Sequence, residues 1–173
     1  FKESQTKLQE VELISYSRGP GSFTGVRMCI GVVQGLSLSM QIPTMGFTTL
    51  ELVGLRASKL LGSKKIAIAL DARMAEVYWA TYIDGLIDNV KICPPEEVDI
   101  LDPSFIGVGS GWKAYGEKLK SASNITDINL SVSPESSALI ELSLQAINCG
   151  LKGTLDLPQP IYLRNNVAQK SLK

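Results

Sequence analysis

Apolar residues along this chain follow two spacings in turn, every second residue and every third to fourth. Residues 11–16 (Val-Glu-Leu-Ile-Ser-Tyr) read as a short strand, and residues 17–25 as a turn punctuated by glycine and proline. From Phe23 to about Met40 the apolar positions Val26, Ile30 and Val33, continued by Leu36 and Met40, recur at helical spacing. Ser22 is a natural N-cap for that helix. Residues 43–47 suggest another short strand, and Thr48 opens a second helix running to about Leu61. Gly62-Ser-Lys-Lys65 then divides the chain into a part spanning 1–62 and a part spanning 63–173. Two strands follow, over 65–70 and 76–83. Ile66, Ile68 and Leu70 alternate in the first, and Val77, Trp79 and Thr81 share a face of the second. Residues 90–103, acidic and rich in proline, read as a loop with a strand start. Residues 105–112 read as a strand running into a glycine turn, with a helix after it to about Lys120. Ser133 is expected to cap a last helix, with Pro134 at its first position and Gly150 as its stop. Residues 159–164 complete the pattern as a strand or extended arm, and residues 1–9 look like the frayed end of a helix. Strands and helices alternate, so the expected class is α/β.

Composition narrows the function classes. The chain has 173 residues, 45% hydrophobic and 20% charged, enough for one ordinary domain or two small ones sharing an interface. Lys+Arg and Asp+Glu both number 17, whereas a chain that held nucleic acid unaided would be expected to carry a basic patch. Lys113, Tyr115, Lys118 and Lys120 cluster on one short helix and read as a solvated face. No apolar run approaches the roughly 20 residues of a membrane span, so none is expected. The start, FKESQTKLQE, has no signal-peptide core and no initial Met, which suggests a piece of a longer chain. Cys29, Cys93 and Cys149 are far apart and form no CxxC pair, so reduced thiols and a cytoplasmic location are the simplest expectation. Histidine is absent. That removes Ser-His and Cys-His nucleophile pairs and histidine metal ligands, and with them most hydrolase and metalloenzyme readings.

Several constellations could carry chemistry. The strand–turn–helix at 15–27 sits where a phosphate cradle would, but Thr24 breaks a GxGxxG and Val26-Arg27 replaces the Lys-Ser/Thr of a P-loop. A sharp structural turn is the favoured reading. Gly31, Gly35 and Ser39 form one stripe of very small side chains. Glycine within a helix costs about 1 kcal/mol relative to alanine, so another backbone is expected to pack there, from this chain or from a partner. Asp71 ends an apolar strand with Arg73 and Glu76 just beyond. A metal or nucleophile-orienting role is conceivable, but a hairpin turn whose Asp bonds its own backbone is preferred. Glu96, Glu97, Asp99 and Asp102 have no ligand spacing and are expected to be solvated, and the glycines of 107–111 suggest a tight turn beside Trp112.

Taken together, Gly19-Pro-Gly-Ser-Phe-Thr-Gly-Val-Arg27, Leu70-Asp-Ala-Arg-Met74 with Glu76-Val-Tyr-Trp79, Val108-Gly-Ser-Gly-Trp112 and Pro160-Ile-Tyr-Leu-Arg-Asn-Asn166 resemble, in this order, the motifs of the bacterial TsaB (YeaZ) family. The resemblance implies a two-lobed fold of the acetate-kinase, hexokinase and Hsp70 group, here with its N-terminal lobe incomplete. It implies a non-catalytic scaffold with no cofactor or catalytic residue of its own, working with a TsaD-like subunit and a TsaE-like ATPase in threonylcarbamoylation of tRNA adenosine. Homodimers are conceivable, and tRNA is expected to be met only through the complex. The helix matching Phe23–Met40 is part of the family's interface, which points to Arg27, Met28, Gly31 and Gly35. Two departures stand out. Nothing matches the family's opening strand pair and long helix, so several dozen leading residues are expected to be missing. Ala75 stands where the family usually has glycine, which suggests a slightly different turn. Two competing expectations are a small-molecule kinase or acyl-transfer enzyme of the same fold, with the 19–25 turn on phosphate and Asp71 as base, and a homodimeric interaction module unrelated to tRNA.

Overall fold

The computed structural model describes residues 5–164. Strand β1 (Ile14–Ser17) leads through the glycine-proline turn into α1 (Phe23–Met40), capped by Ser22, whose Oγ accepts the Gly25 N–H at 3.4 Å. The helix stops at Gln41, which takes a left-handed conformation (φ 54°). Strand β2 (Thr44–Phe47) returns parallel to β1, Ile14 opposite Thr44. Helix α2 (Thr49–Leu61) opens with a reciprocal cap. Thr48 Oγ1 accepts the Glu51 N–H at 3.1 Å while the Glu51 carboxylate accepts the Thr48 N–H.

A second sheet holds β3 (Lys65–Asp71), β4 (Val77–Ile83), β5 (Leu86–Cys93), β6 (Ile106–Val108) and β7 (Ile128–Asn129) in the order β5-β4-β3-β6-β7. The first three form an antiparallel meander, and β6 and β7 run parallel to β3. Helices α3 (Ser110–Ser123) and α4 (Ser136–Asn148) complete the described elements. The period-two pattern of β3 places its two faces in different cores. Ile66, Ile68 and Leu70 pack with Leu50, Val53 and Leu55 of α2, whereas Ala67 and Ala69 pack with Val77, Trp79, Trp112 and Leu119. The first core therefore runs across the chain division at Gly62-Lys65. A smaller cluster of Tyr16, Ile30 and Val33 joins α1 to β1.

Several expectations need correction. Residues 86–93 form a full strand, β5, ahead of the proline-rich loop. As an edge strand with Leu86, Asp88 and Asn89 exposed, it lacks a clean alternation. The short β7 was not expected either. Ser133 and Pro134 lie outside α4, which begins after Glu135, an extended residue whose carboxylate pairs with Arg56 of α2. Gly111 and Trp112 lie inside α3, which is kinked at Tyr115 (φ −132°, ψ 26°) and continues past Lys120. Residues 8–10 form a single 3-10 turn rather than the end of a longer helix. Finally, α1 reaches a mean hydropathy of 1.2 over 18 residues and is long and apolar enough, by length and composition, to cross a membrane. Glycine and serine interrupt its apolar run without making it polar. In this fold Ile30, Val33 and Ser37 of α1 are buried inward, and Gln34 Nε2 donates to the Pro158 carbonyl at 2.8 Å.

Candidate docking site on the first helix

Only Ile30, Val33 and Ser37 of the 18 residues of α1 are buried. Facing away from β1 are Met28, Gly31, Val32, Gly35, Leu38 and Ser39, all exposed, with Met28 at 67% and Val32 at 63%. A Cβ built on Gly31 or Gly35 meets no atom within 4 Å. Among the described residues, the stripe of small residues therefore has no element of this chain packed on it. What remains is an outward face of apolar and very small side chains. Such a face loses free energy in water and lets a facing backbone approach closely.

Arg27 stands at the rim of this face. Its guanidinium carbon lies 3.7 Å from the centre of the Phe23 ring and 5.9 Å from that of Tyr162, and its Nε donates to the Tyr162 hydroxyl at 3.2 Å. Tyr162 belongs to an extended strap that crosses the molecule. The strap starts where Thr44 and Thr154 exchange backbone hydrogen bonds at 2.8 and 3.0 Å. It is held again by Gln34 on Pro158 and by the Ile161 N–H on the Arg18 carbonyl at 2.8 Å. At its end Arg164 donates to the Ala72 carbonyl at 3.2 Å and pairs with the Glu76 carboxylate. The expected extended arm is thus a tie between α1 and the β3–β4 hairpin. Asn165 and Asn166, the end of the tail motif, lie outside the described residues.

The other candidates are structural. Gly19 (φ +91°) forms the bend of the 17–25 turn, and its carbonyl accepts the Thr49 N–H at 2.8 Å, fastening the turn to the start of α2. Asp71 forms the expected hairpin turn: its Oδ1 accepts the Arg73 N–H at 2.9 Å, with the Tyr115 hydroxyl at 3.4 Å. Arg73, Met74 and Ala75 take left-handed conformations in succession, so Ala75 (φ +58°) keeps a geometry that favours glycine. Gly109 (φ +104°) lies against β3, where a Cβ would fall 2.5 Å from the Ala69 carbonyl oxygen. The acidic loop is not simply solvated. Asp99 accepts the indole N–H of the fully buried Trp79 at 2.9 Å and pairs with Lys91, and Glu96 is held below the usual carboxylate range by its hydrogen bond with Lys118 at 2.6 Å. On the Lys113–Lys120 segment Lys118 and Lys120 pair with Glu96 and Glu117, and a shallow cleft of about 560 Å³ runs beside them. No group of three or more Cys, Asp or Glu suited to a metal ion occurs among the described residues.

Residues 1–141 match the family model described as TsaD, tRNA N6-adenosine threonylcarbamoyltransferase. The Escherichia coli tRNA threonylcarbamoyladenosine biosynthesis protein TsaB is 34% identical over 179 residues, covering 98% of this chain and 78% of its own length. The chain belongs to the TsaB family. The Haemophilus influenzae TsaB protein is 30% identical, over 95% of this chain and 75% of its own length. Among solved structures, YeaZ from Pseudomonas aeruginosa superposes with a TM-score of 0.82 at 34% identity, covering 94% of this chain and 79% of that one. A second Pseudomonas aeruginosa crystal structure, described as similar to peptidase YeaZ, gives 0.84. These likenesses place the fold in the acetate-kinase, hexokinase and Hsp70 group, as expected. The word peptidase belongs to the second structure's description; this chain has no histidine and so no Ser-His or Cys-His pair.

Sequence reading had pointed to Arg27, Met28, Gly31 and Gly35, and all four are exposed on α1. It missed Phe23, Val32, Leu38 and Tyr162. Val32 follows Met28 at i+4 and Leu38 lies three after Gly35, but helical spacing groups these residues without saying whether their face points inward or outward. Tyr162 had no such signal, because a contact 135 residues away in sequence leaves none.

Proposed function

We propose that this chain serves threonylcarbamoyladenosine synthesis on tRNA as a docking subunit, with no catalysis of its own. A TsaD-like subunit seats on the outer face of α1, and a TsaE-like ATPase joins the assembly. Residues 1–62 supply the docking lobe and residues 63–173 the second lobe. The observation that carries this reading is the open face of Met28, Gly31, Val32 and Gly35, on a helix that buries only three residues within its own chain. The absence of histidine and the engagement of Asp71 in its own hairpin support a non-catalytic role. Balanced charge, with Lys118 and Lys120 already paired, supports contact with tRNA only through the complex.

Calorimetric titration of the chain with the TsaD-like subunit of the same organism tests the proposal, with Met28→Glu as the disruptive variant. The expected result is a stoichiometric complex that Met28→Glu weakens at least tenfold. Equal binding by both chains rejects α1 as the docking face. Binding of α1 to lipid vesicles in place of the subunit, or ATP turnover by pure protein that Asp71→Ala abolishes, would reject the docking role itself.

A further inference from the structure

Arg27 is the only charged residue in α1. Arg56, Arg73 and Arg164 each pair with a carboxylate, whereas no carboxylate lies within ion-pair distance of Arg27 among the described residues. Its Nε is committed to Tyr162 and its guanidinium carbon lies over the Phe23 ring, and among the described residues no acceptor holds the two Nη groups. Stacking of this kind removes rotamer freedom before any partner arrives, which lowers the cost of forming a contact. If the partner covers the neighbouring Met28, Gly31 and Val32, it also strips water from this cation, and an uncompensated charge at the edge of an interface is costly.

We infer that the protein surface covering α1 brings an aspartate or glutamate to the Nη groups of Arg27, and that this pair sets the register in which the partner seats. The inference rests on the docking role of α1 proposed above. A carboxylate matches the planar fork with two parallel hydrogen bonds. A phosphate would match the fork equally well, but not the apolar and glycine positions beside it. The occupant is therefore protein rather than tRNA.

The test is titration of the native chain, Arg27→Met, Arg27→Glu and Gly35→Leu with the TsaD-like subunit at low and high salt, together with an Asp/Glu-to-Arg scan of that subunit's surface. Native affinity is expected to fall as salt rises. Arg27→Met should weaken binding by about thirtyfold or more and flatten the salt dependence. Arg27→Glu should be rescued by one charge reversal on the partner. If Arg27→Met binds as tightly as the native chain, with the same salt dependence, while Gly35→Leu is weakened, the carboxylate pairing is wrong and the docking face stands. If all the variants bind like the native chain, the docking face itself is wrong. If the Arg27→Met loss appears only when tRNA is present, the occupant is a phosphate and the inference is overturned.

Discussion

Gly35→Leu separates a helix face that meets a partner from one that meets its own fold, because its two possible costs fall in different measurements. In the isolated chain an added Cβ at position 35 finds nothing within 4 Å among the described residues, so the leucine side chain is expected to point into open space. Replacing a glycine inside a helix by leucine gains about 0.8 kcal/mol of helix propensity. For a domain of this size that raises the melting temperature by roughly 2–3 °C. Against a partner backbone seated in the stripe, the same side chain overpacks the contact, at about 1–3 kcal/mol. That weakens the complex roughly fivefold to a hundredfold or more. Differential scanning calorimetry of the variant beside a binding titration reads both quantities. A melting temperature lowered by more than about 2 °C with affinity intact would mean that α1 packs inward at Gly35, and would refute the reasoning.

Ala75→Gly should stabilise the chain by up to about 1 kcal/mol, because relief of a left-handed alanine (φ +58°) outweighs the entropy glycine adds to the unfolded state; a lower thermal midpoint would contradict this. Asp99→Ala leaves the buried Trp79 indole N–H without its acceptor and should cost about 1–3 kcal/mol in urea unfolding. Lys91→Ala, which breaks a half-exposed ion pair and an exposed hydrogen bond to the Glu97 carbonyl, should cost under about 1 kcal/mol, and equal losses would assign the stabilisation to the contacts of Lys91 instead. Burial pushes the Cys93 thiol up, so at neutral pH it stays protonated and shielded. Iodoacetamide should modify exposed Cys149 first and Cys93 only on unfolding, as peptide mass mapping would show.

What could be read from the sequence depended on whether a residue's environment is set by its near neighbours. The helix start at Thr48 and the alternation of Ile66, Ile68 and Leu70 are local, and both stand in the structure. Ser133 and Pro134 have equally good local chemistry for starting a helix, yet α4 begins after Glu135, where an ion pair with Arg56 of α2 competes with the cap. Asp99 read as one more solvated acid because its partner, Trp79, is 20 residues away and on the far side of β5 in the chain. The same limit applies most strongly to α1. A helix that is apolar almost all round has weak amphipathic contrast, so its sequence cannot say which side faces the core. The position of β1 under Ile30 and Val33 makes that division and leaves Met28, Gly31, Val32 and Gly35 outside. Arg27 is then placed at the edge of the outward face by Tyr162, a residue from the far end of the described chain. The outward face proposed for docking is thus built by tertiary structure out of a helix whose own sequence would serve equally well as core.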